Sequence, residues 1–77
     1  MSEQNHSHYF KDVSNLNFID VYRVLDLFGV SNPCVQHAVK KLLCSGQRGV
    51  KDTQQDVQEA ITSLVRCLEM QTEDETK

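Results

Sequence analysis

The sequence has few of the residues on which disulfide, metal and cofactor chemistry depends. Among 77 residues there are three cysteines, one proline and no tryptophan. Cys34, Cys44 and Cys67 are odd in number and show no C-x-x-C spacing, which argues against a disulfide framework or a structural zinc site. Unpaired thiols are typical of a reducing cytoplasm. We therefore expect no metal, no cofactor and a cytoplasmic location.

Long apolar runs are also missing. No stretch is long enough to cross a bilayer, and the first ten residues are polar, unlike a secretory signal, so we expect no membrane partner. A chain of this length builds a core that contributes only about 3–5 kcal/mol and usually needs a staple or a partner. With disulfides and metal ions set aside, self-association is the expected source of further stability.

Composition divides the chain into three regions. Residues 1–15 are polar and rich in serine, asparagine and histidine, which predicts a flexible arm. Residues 16–70 carry helical periodicity, and residues 71–77 form an acidic tail. No run alternates with period two for long enough to be a strand. The predicted fold class is all-α, a compact three-helix bundle that is completed by homo-oligomerisation through helix one.

Start and stop signals locate the three predicted helices. Helix one is predicted from Phe18 to Phe28, with Asn17 as its N-cap. Helix two is predicted from Pro33 to Cys44, with Asn32 as its N-cap, and helix three from Thr53 to Met70, with Asp52 as its N-cap. Gly29 and Gly46 are the expected stops of the first two helices.

Apolar periodicity predicts which sides of helices two and three face the core. On helix two this inward face is Val35, Ala38, Val39, Leu42 and Leu43, while Gln36, His37, Lys40 and Lys41 face away. On helix three the inward face is Val57, Ala60, Ile61, Leu64, Val65 and Leu68, flanked by Cys67.

Helix one is apolar on nearly every side. Eight of its eleven residues are apolar, and only Asp20, Arg23 and Asp26 form a narrow polar stripe. A helix of this kind is buried nearly all round, and two short partner helices do not cover it. It is therefore the predicted oligomer interface, made by Phe18, Ile19, Val21, Tyr22, Leu25 and Phe28.

Half of the basic residues lie in one short stretch, although the net charge of the chain is −3. This segment ends in a glycine-containing loop that leads into helix three, and such a loop is able to present backbone N–H groups to phosphate. It has neither P-loop nor G-x-G-x-x-G spacing. The simpler interpretation is a solvated helix face and a glycine-rich turn. The candidate site for an anion or a partner is His37, Lys40, Lys41, Arg48 and Lys51.

Two other functions are alternatives to binding through this segment. The stretch from Leu27 to Leu42 has the order of a helix-turn-helix, with Gly29 in the turn, which makes a DNA-binding regulator the alternative. The acids and His37 fall in no spacing that defines a catalytic pair. Cys34 and His37 lie one turn apart but lack an orienting group. We therefore expect a non-enzymatic protein.

The stretch from Val21 to Met70 resembles a set of small tailed-bacteriophage proteins of unknown function. It is also similar, more distantly, to the helical SaV-like phage family, which is described as nucleotide-kinase-related. The shared features are His8-Tyr9, Ile19-Asp20, Ala38 to Lys41, Lys51-Asp52 and Asp56 to Ile61. Leu42 departs from the SaV-like pattern, which has an aromatic residue after the lysine of helix two.

The resemblance implies a phage-encoded protein that acts in the cytoplasm of a bacterial host. Small early phage proteins often bind and redirect a host or defence component. The expected partners are then a second copy of the chain and either an acidic protein surface or a phosphate-bearing nucleotide. DNA is the alternative partner, and an accessory role in phage nucleotide metabolism is a third possibility.

Overall fold

The structure, a computed structural model, describes residues 8–47 and 52–76. These residues form three helices and no strand: α1 (Val21–Leu27), α2 (Pro33–Leu43) and α3 (Asp52–Glu75). The prediction of an all-α protein is therefore confirmed. The chain divides into two compact units, Met1–Ser31, which contains α1, and Asn32–Lys77, which contains α2 and α3.

Helix α1 begins three residues later than the sequence predicts. Its N-cap is Asp20, not Asn17, because the Asp20 carboxylate accepts a hydrogen bond of 2.9 Å from the backbone N–H of Arg23. A carboxylate at this position also interacts favourably with the positive end of the helix dipole. Phe18 and Ile19 consequently lie before the helix rather than in its first turn.

The end of α1 lies where the sequence predicts a stop. Gly29 has a φ of 67°, a value that favours glycine, and follows the C-cap Phe28. Its N–H donates to the carbonyl of Asp26, and the N–H of Val30 donates to the carbonyl of Leu25. These two bonds form a Schellman motif, which satisfies carbonyls that the helix itself leaves without partners.

The residues before α1 form local turns. The N–H of Ser14 donates to Asp12 Oδ1 at 2.9 Å, and this bond lowers the pKa of the Asp12 carboxyl below its ordinary value. The rings of His8 and Tyr9 lie 4.2 Å apart between their centroids. Residues 1–7 of the predicted flexible arm lie outside the described residues.

Helix α2 has the ends that its sequence predicts, to within one residue. Asn32 Oδ1 accepts hydrogen bonds from the backbone N–H groups of Cys34 and Val35, at 2.8 and 3.1 Å. Pro33 occupies the first helical position, where its missing N–H costs nothing. The helix ends at Leu43, and Gly46 follows with a φ of 80°.

Helix α3 extends five residues beyond the predicted end at Met70. Nothing between Met70 and Glu75 stops a helix, since these residues include neither glycine nor proline. Arg66 also spans this region, with its Nη1 atom 3.3 Å from Glu69 Oε1 and 2.9 Å from Glu73 Oε2. These contacts raise the pKa of the Arg66 guanidinium, Glu73 being the larger cause.

Helices α2 and α3 pack against each other as an antiparallel hairpin, which we call the α2–α3 hairpin. Lys41 contacts Glu59, while His37, one turn earlier, contacts Ser63, one turn later. The buried apolar residues on the facing sides are small: Ala38, Ala60 and Cys67. Small side chains allow the two helix axes to approach closely.

Most of the residues that were predicted to face the core on α2 and α3 are therefore exposed instead, and for them the prediction is wrong. On α3 only Ala60 is buried, and Val57, Ile61, Leu64, Val65 and Leu68 are exposed. On α2, Ala38 is buried, Val35 and Val39 are half-buried, and Leu42 and Leu43 are exposed. Periodicity identified side chains that share a side of each helix. The helices contact each other through the adjacent side, where the small residues lie.

Candidate functional site

The described part of the predicted basic site lies on α2, and its charge is partly compensated within the chain. Lys41 Nζ lies 2.6 Å from Glu59 Oε1 and 3.7 Å from Asp56 Oδ1, both on α3. The Lys41 side chain is about three-quarters buried. The prediction that Lys41 faces away from the core is therefore wrong, because its long side chain reaches across to α3.

Asp56 is the most buried charged residue among those described, with 2% of its surface exposed. Besides Lys41, its carboxylate accepts a hydrogen bond of 3.3 Å from the backbone N–H of Gly46, which lies in the turn after α2. A buried carboxylate requires such partners, because losing water without replacement is costly. Lys41, Asp56 and Gly46 therefore tie the end of α2 to the first turns of α3.

Gly46 occupies a position that only glycine fits well. Its φ is 80°, and a Cβ atom placed on it would overlap the hydroxyl oxygen of Thr53. The close approach of this turn to α3 is what allows its N–H to reach Asp56.

His37 is the second member of the predicted site that contacts α3. Its Nδ1 atom shares a hydrogen bond of 2.6 Å with the hydroxyl of Ser63, and the ring remains exposed. Lys40 is half-buried. Arg48 and Lys51 lie outside the described residues. The structure thus brings His37 and Lys41 to the α3 side of α2, where sequence reasoning placed neither of them.

Asp56, Glu59 and Ser63 are the contacts that sequence reasoning missed. The candidate site that the sequence predicts does not include Asp56. Its spacing held a further signal, since Asp56, Ala60, Ser63 and Cys67 repeat every three or four residues and so share one side of α3. That side is the one that faces α2.

The predicted oligomer surface is largely exposed in the single chain. Phe18 and Tyr22 expose 81% and 69% of their surface, and Ile19 and Phe28 about half. Val21 is half-buried, and Leu25 is buried within its own chain. The four exposed members form what we call the 18–28 surface: Phe18, Ile19, Tyr22 and Phe28. Lys11 adds a cation near it, with its Nζ atom 5.2 Å from the centre of the Phe28 ring.

Potential metal ligands do not cluster within residues 8–47 and 52–76. No three side chains of the histidine, cysteine, aspartate or glutamate type come together there as metal ligands. All three cysteines are free, Cys44 exposed and Cys67 buried. Every buried side-chain polar atom in this part of the chain has a hydrogen-bond partner. No helix among the described residues is both long and apolar enough to cross a membrane.

Among the described residues, the exposed large apolar side chains belong to the 18–28 surface and to one side of α3, together with Tyr9, Phe10, Leu42 and Leu43. No family model, no curated protein and no solved structure matches this sequence.

Proposed function

We propose that this chain is a small, non-enzymatic protein-binding protein that works as a homo-oligomer. The 18–28 surface is its contact for a protein partner, and the α2–α3 hairpin is its scaffold. The observation that carries the proposal is the exposure of Phe18, Ile19, Tyr22 and Phe28 within eleven residues of sequence. Interfaces are enriched in aromatic residues, and a few aromatic anchors often supply most of the binding free energy.

The size of the buried core supports self-association. The buried apolar residues of the described chain are Leu25, Ala38, Ala60 and Cys67, only one of which is large. Such a core buries little apolar area, and small domains of this kind gain stability by associating. A three-helix bundle completed by a second copy is the assembly that we propose.

An apolar contact accounts for the described surface better than an anion site does. Two carboxylates of α3 already compensate the charge of Lys41. Binding of phosphate or of an acidic surface by the basic segment stays a prediction that rests on Arg48 and Lys51. The resemblance to small phage proteins favours a bacterial host or defence protein as the partner.

Affinity capture with matched variants tests the proposed partner surface. The wild type, Phe18→Ser/Tyr22→Ser and the control Gln58→Ser/Thr62→Ser serve as baits in a bacterial lysate, after circular dichroism has shown equal helix content. We expect at least one protein that the wild type and the control retain equally and that the Phe18→Ser/Tyr22→Ser bait loses. If every retained protein is indifferent to these two aromatic residues, the 18–28 surface is not the partner site.

A further inference from the structure

Helix α3 carries two lines of residues with the same spacing on different sides. Asp56, Ala60, Ser63 and Cys67 face α2. Each residue advances about 100° around a helix, so the residues one position later lie about a third of a turn away. They are the line that we call the exposed stripe: Val57, Ile61, Leu64 and Leu68. Its spacing of four, three and four residues is that of a helix seam that packs against another helix.

Helix α2 has a matching line. Ala38 is its buried residue opposite α3, and Val35, Val39 and Leu42 are offset from it around α2 in the same sense as the exposed stripe on α3. Because the two helices are antiparallel, equal offsets place both lines on the same face of the α2–α3 hairpin. The hairpin therefore has one continuous apolar face.

The α2–α3 hairpin by itself leaves much of this face exposed. The four residues of the exposed stripe expose between 39% and 63% of their surface, and Leu42 exposes half. Together with the half-buried valines of α2, this is roughly 500 Å² of apolar surface, as large as monomeric proteins usually leave in water. The same spacing continues to Gln54 and Gln71, whose side chains bring the face towards the area of about 800 Å² per partner that stable interfaces bury.

We propose that a second copy of the chain covers this face, with α3 packed antiparallel against α3 of the other copy. The two hairpins then form a four-helix arrangement around a twofold axis near residues 62 and 63, and Ile61 of each copy faces Leu64 of the other. This inference rests on the proposed self-association and names its surface. It moves the self-interface from α1 to α3, and each dimer then carries the 18–28 surface twice.

Charge favours the antiparallel orientation over the parallel one. The last part of α3 holds Glu69, Glu73, Asp74 and Glu75 against the single basic residue Arg66, and its last turn has no basic residue. These acids are unfavourable at the negative end of their own helix dipole. The first part of α3 also holds acids, Asp52, Asp56 and Glu59, but Lys41 lies against two of them and the helix dipole is positive at this end. Antiparallel packing therefore places the acidic last part beside the less negative end of the other α3, whereas parallel packing would place the two most acidic ends together.

Analytical ultracentrifugation of the full chain tests the proposal. The samples are the wild type, Ile61→Ser/Leu64→Ser, Phe18→Ser/Tyr22→Ser and the control Gln58→Ser/Thr62→Ser, which lies on another side of α3. We expect twice the chain mass of 8.8 kDa for all of them except Ile61→Ser/Leu64→Ser. For that variant we expect a helical monomer, with the dimer dissociation constant raised at least about 100-fold.

Two outcomes of this experiment overturn the proposal and differ in what else they affect. A wild-type dimer that survives Ile61→Ser/Leu64→Ser but dissociates in Phe18→Ser/Tyr22→Ser would reject the α3 interface and keep the proposed self-association. A wild type that is monomeric at every concentration would reject both, and would mean that the chain's own residues or another protein cover this face.

Disulfide crosslinking tests the orientation without weakening the interface. In a Cys44→Ser background, Gln54→Cys and Gln71→Cys are prepared as separate proteins, because the proposed register places residue 54 opposite residue 71 of the other copy. We expect a crosslinked dimer when the two are mixed and none from either alone, since equal positions lie about 25 Å apart. Equal crosslinking of the separate proteins, or none in the mixture, contradicts the antiparallel arrangement.

Discussion

Lys41 on α2 lies across from the buried Asp56 on α3, with 3.7 Å between Lys41 Nζ and Asp56 Oδ1. The lysine also contacts the more exposed Glu59 at 2.6 Å, which is the closer of its two ion pairs. One side chain thus serves both a surface carboxylate and a buried one. Because the Asp56 carboxylate also accepts the N–H of Gly46, these contacts join α2, the following turn and α3.

Removal of the Asp56 carboxylate is expected to destabilise the chain. Asp56→Ala should lower the free energy of unfolding by about 1–3 kcal/mol, because the N–H of Gly46 loses its acceptor and Lys41 loses a buried partner. Urea denaturation followed by circular dichroism measures the change. The control is Glu69→Ala on the exposed side of α3, which should cost less than about 1 kcal/mol. Equal costs for the two substitutions would contradict the structural role of Asp56.

The contact between Lys41 and Asp56 predicts energetic coupling between them. In a double-mutant cycle, Lys41→Ala and Asp56→Ala together should cost less than the sum of their separate effects, by about 0.5–3 kcal/mol, because each single variant leaves the other charge without this partner. The same urea titrations supply the four free energies. The pair Lys41→Ala and Glu69→Ala is the matched control and should be additive. Additivity in both cycles would show that the ion pair contributes nothing to stability.

Gly46 should resist substitution more than Gly29, although both have a positive φ. Gly46→Ala combines an unfavourable backbone conformation with an overlap against the Thr53 hydroxyl, whereas a Cβ atom at Gly29 meets nothing within 4 Å. We expect Gly29→Ala to cost about 1 kcal/mol and Gly46→Ala distinctly more. Adding Thr53→Ala should recover part of the loss at Gly46, as measured by thermal unfolding. If Thr53→Ala recovers nothing, the overlap is not the cause.

Among the described residues of the first unit, Leu25 is the single large buried one, with 6% of its surface exposed. Leu25→Ala should therefore increase hydrogen exchange at the α1 amides of Val24 and Phe28, since truncating a buried leucine costs about 2–5 kcal/mol. Tyr22→Ala, on the exposed side of the same helix, should leave these amides as protected as in the wild type. Equal exchange in both variants would mean that burial of Leu25 does not hold α1 in place.

The sequence predicted the end of a helix correctly where a single residue determines where the helix begins or stops. Asn32 and Pro33 fix the start of α2, and Gly29 ends α1 through a positive φ, so these positions could be read directly. The start of α1 was misplaced because Asn17 and Asp20 are both good N-caps, and only the structure shows which carboxylate or amide reaches a backbone N–H. The predicted end of α3 was too early because residues 71–77, which are acidic and poor in apolar side chains, were interpreted as a separate tail.

The sides of the helices that pack together were harder to predict. Periodicity grouped Val57, Ile61 and Leu64 on one side of α3, and hydrophobicity favoured that side for the core. The helices instead meet through Ala38 and Ala60, because small residues permit close packing and allow the Lys41 and Asp56 charges to meet. Such tertiary contacts determine which of two adjacent sides of a helix faces its neighbour. Hydrophobicity alone does not predict these contacts. The large apolar side of α3 stays exposed, and this is the side that we propose a second copy covers.

Isotope-filtered NMR on a mixture of labelled and unlabelled chains detects only contacts between different copies, and so it tests the proposed α3 interface residue by residue. We expect nuclear Overhauser effects between the Leu68 methyl groups of one copy and the Val57 methyl groups of the other, together with contacts between Ile61 and Leu64. Intermolecular contacts confined to Phe18, Tyr22 and Phe28, or contacts of Leu68 with residues of its own chain only, would contradict it.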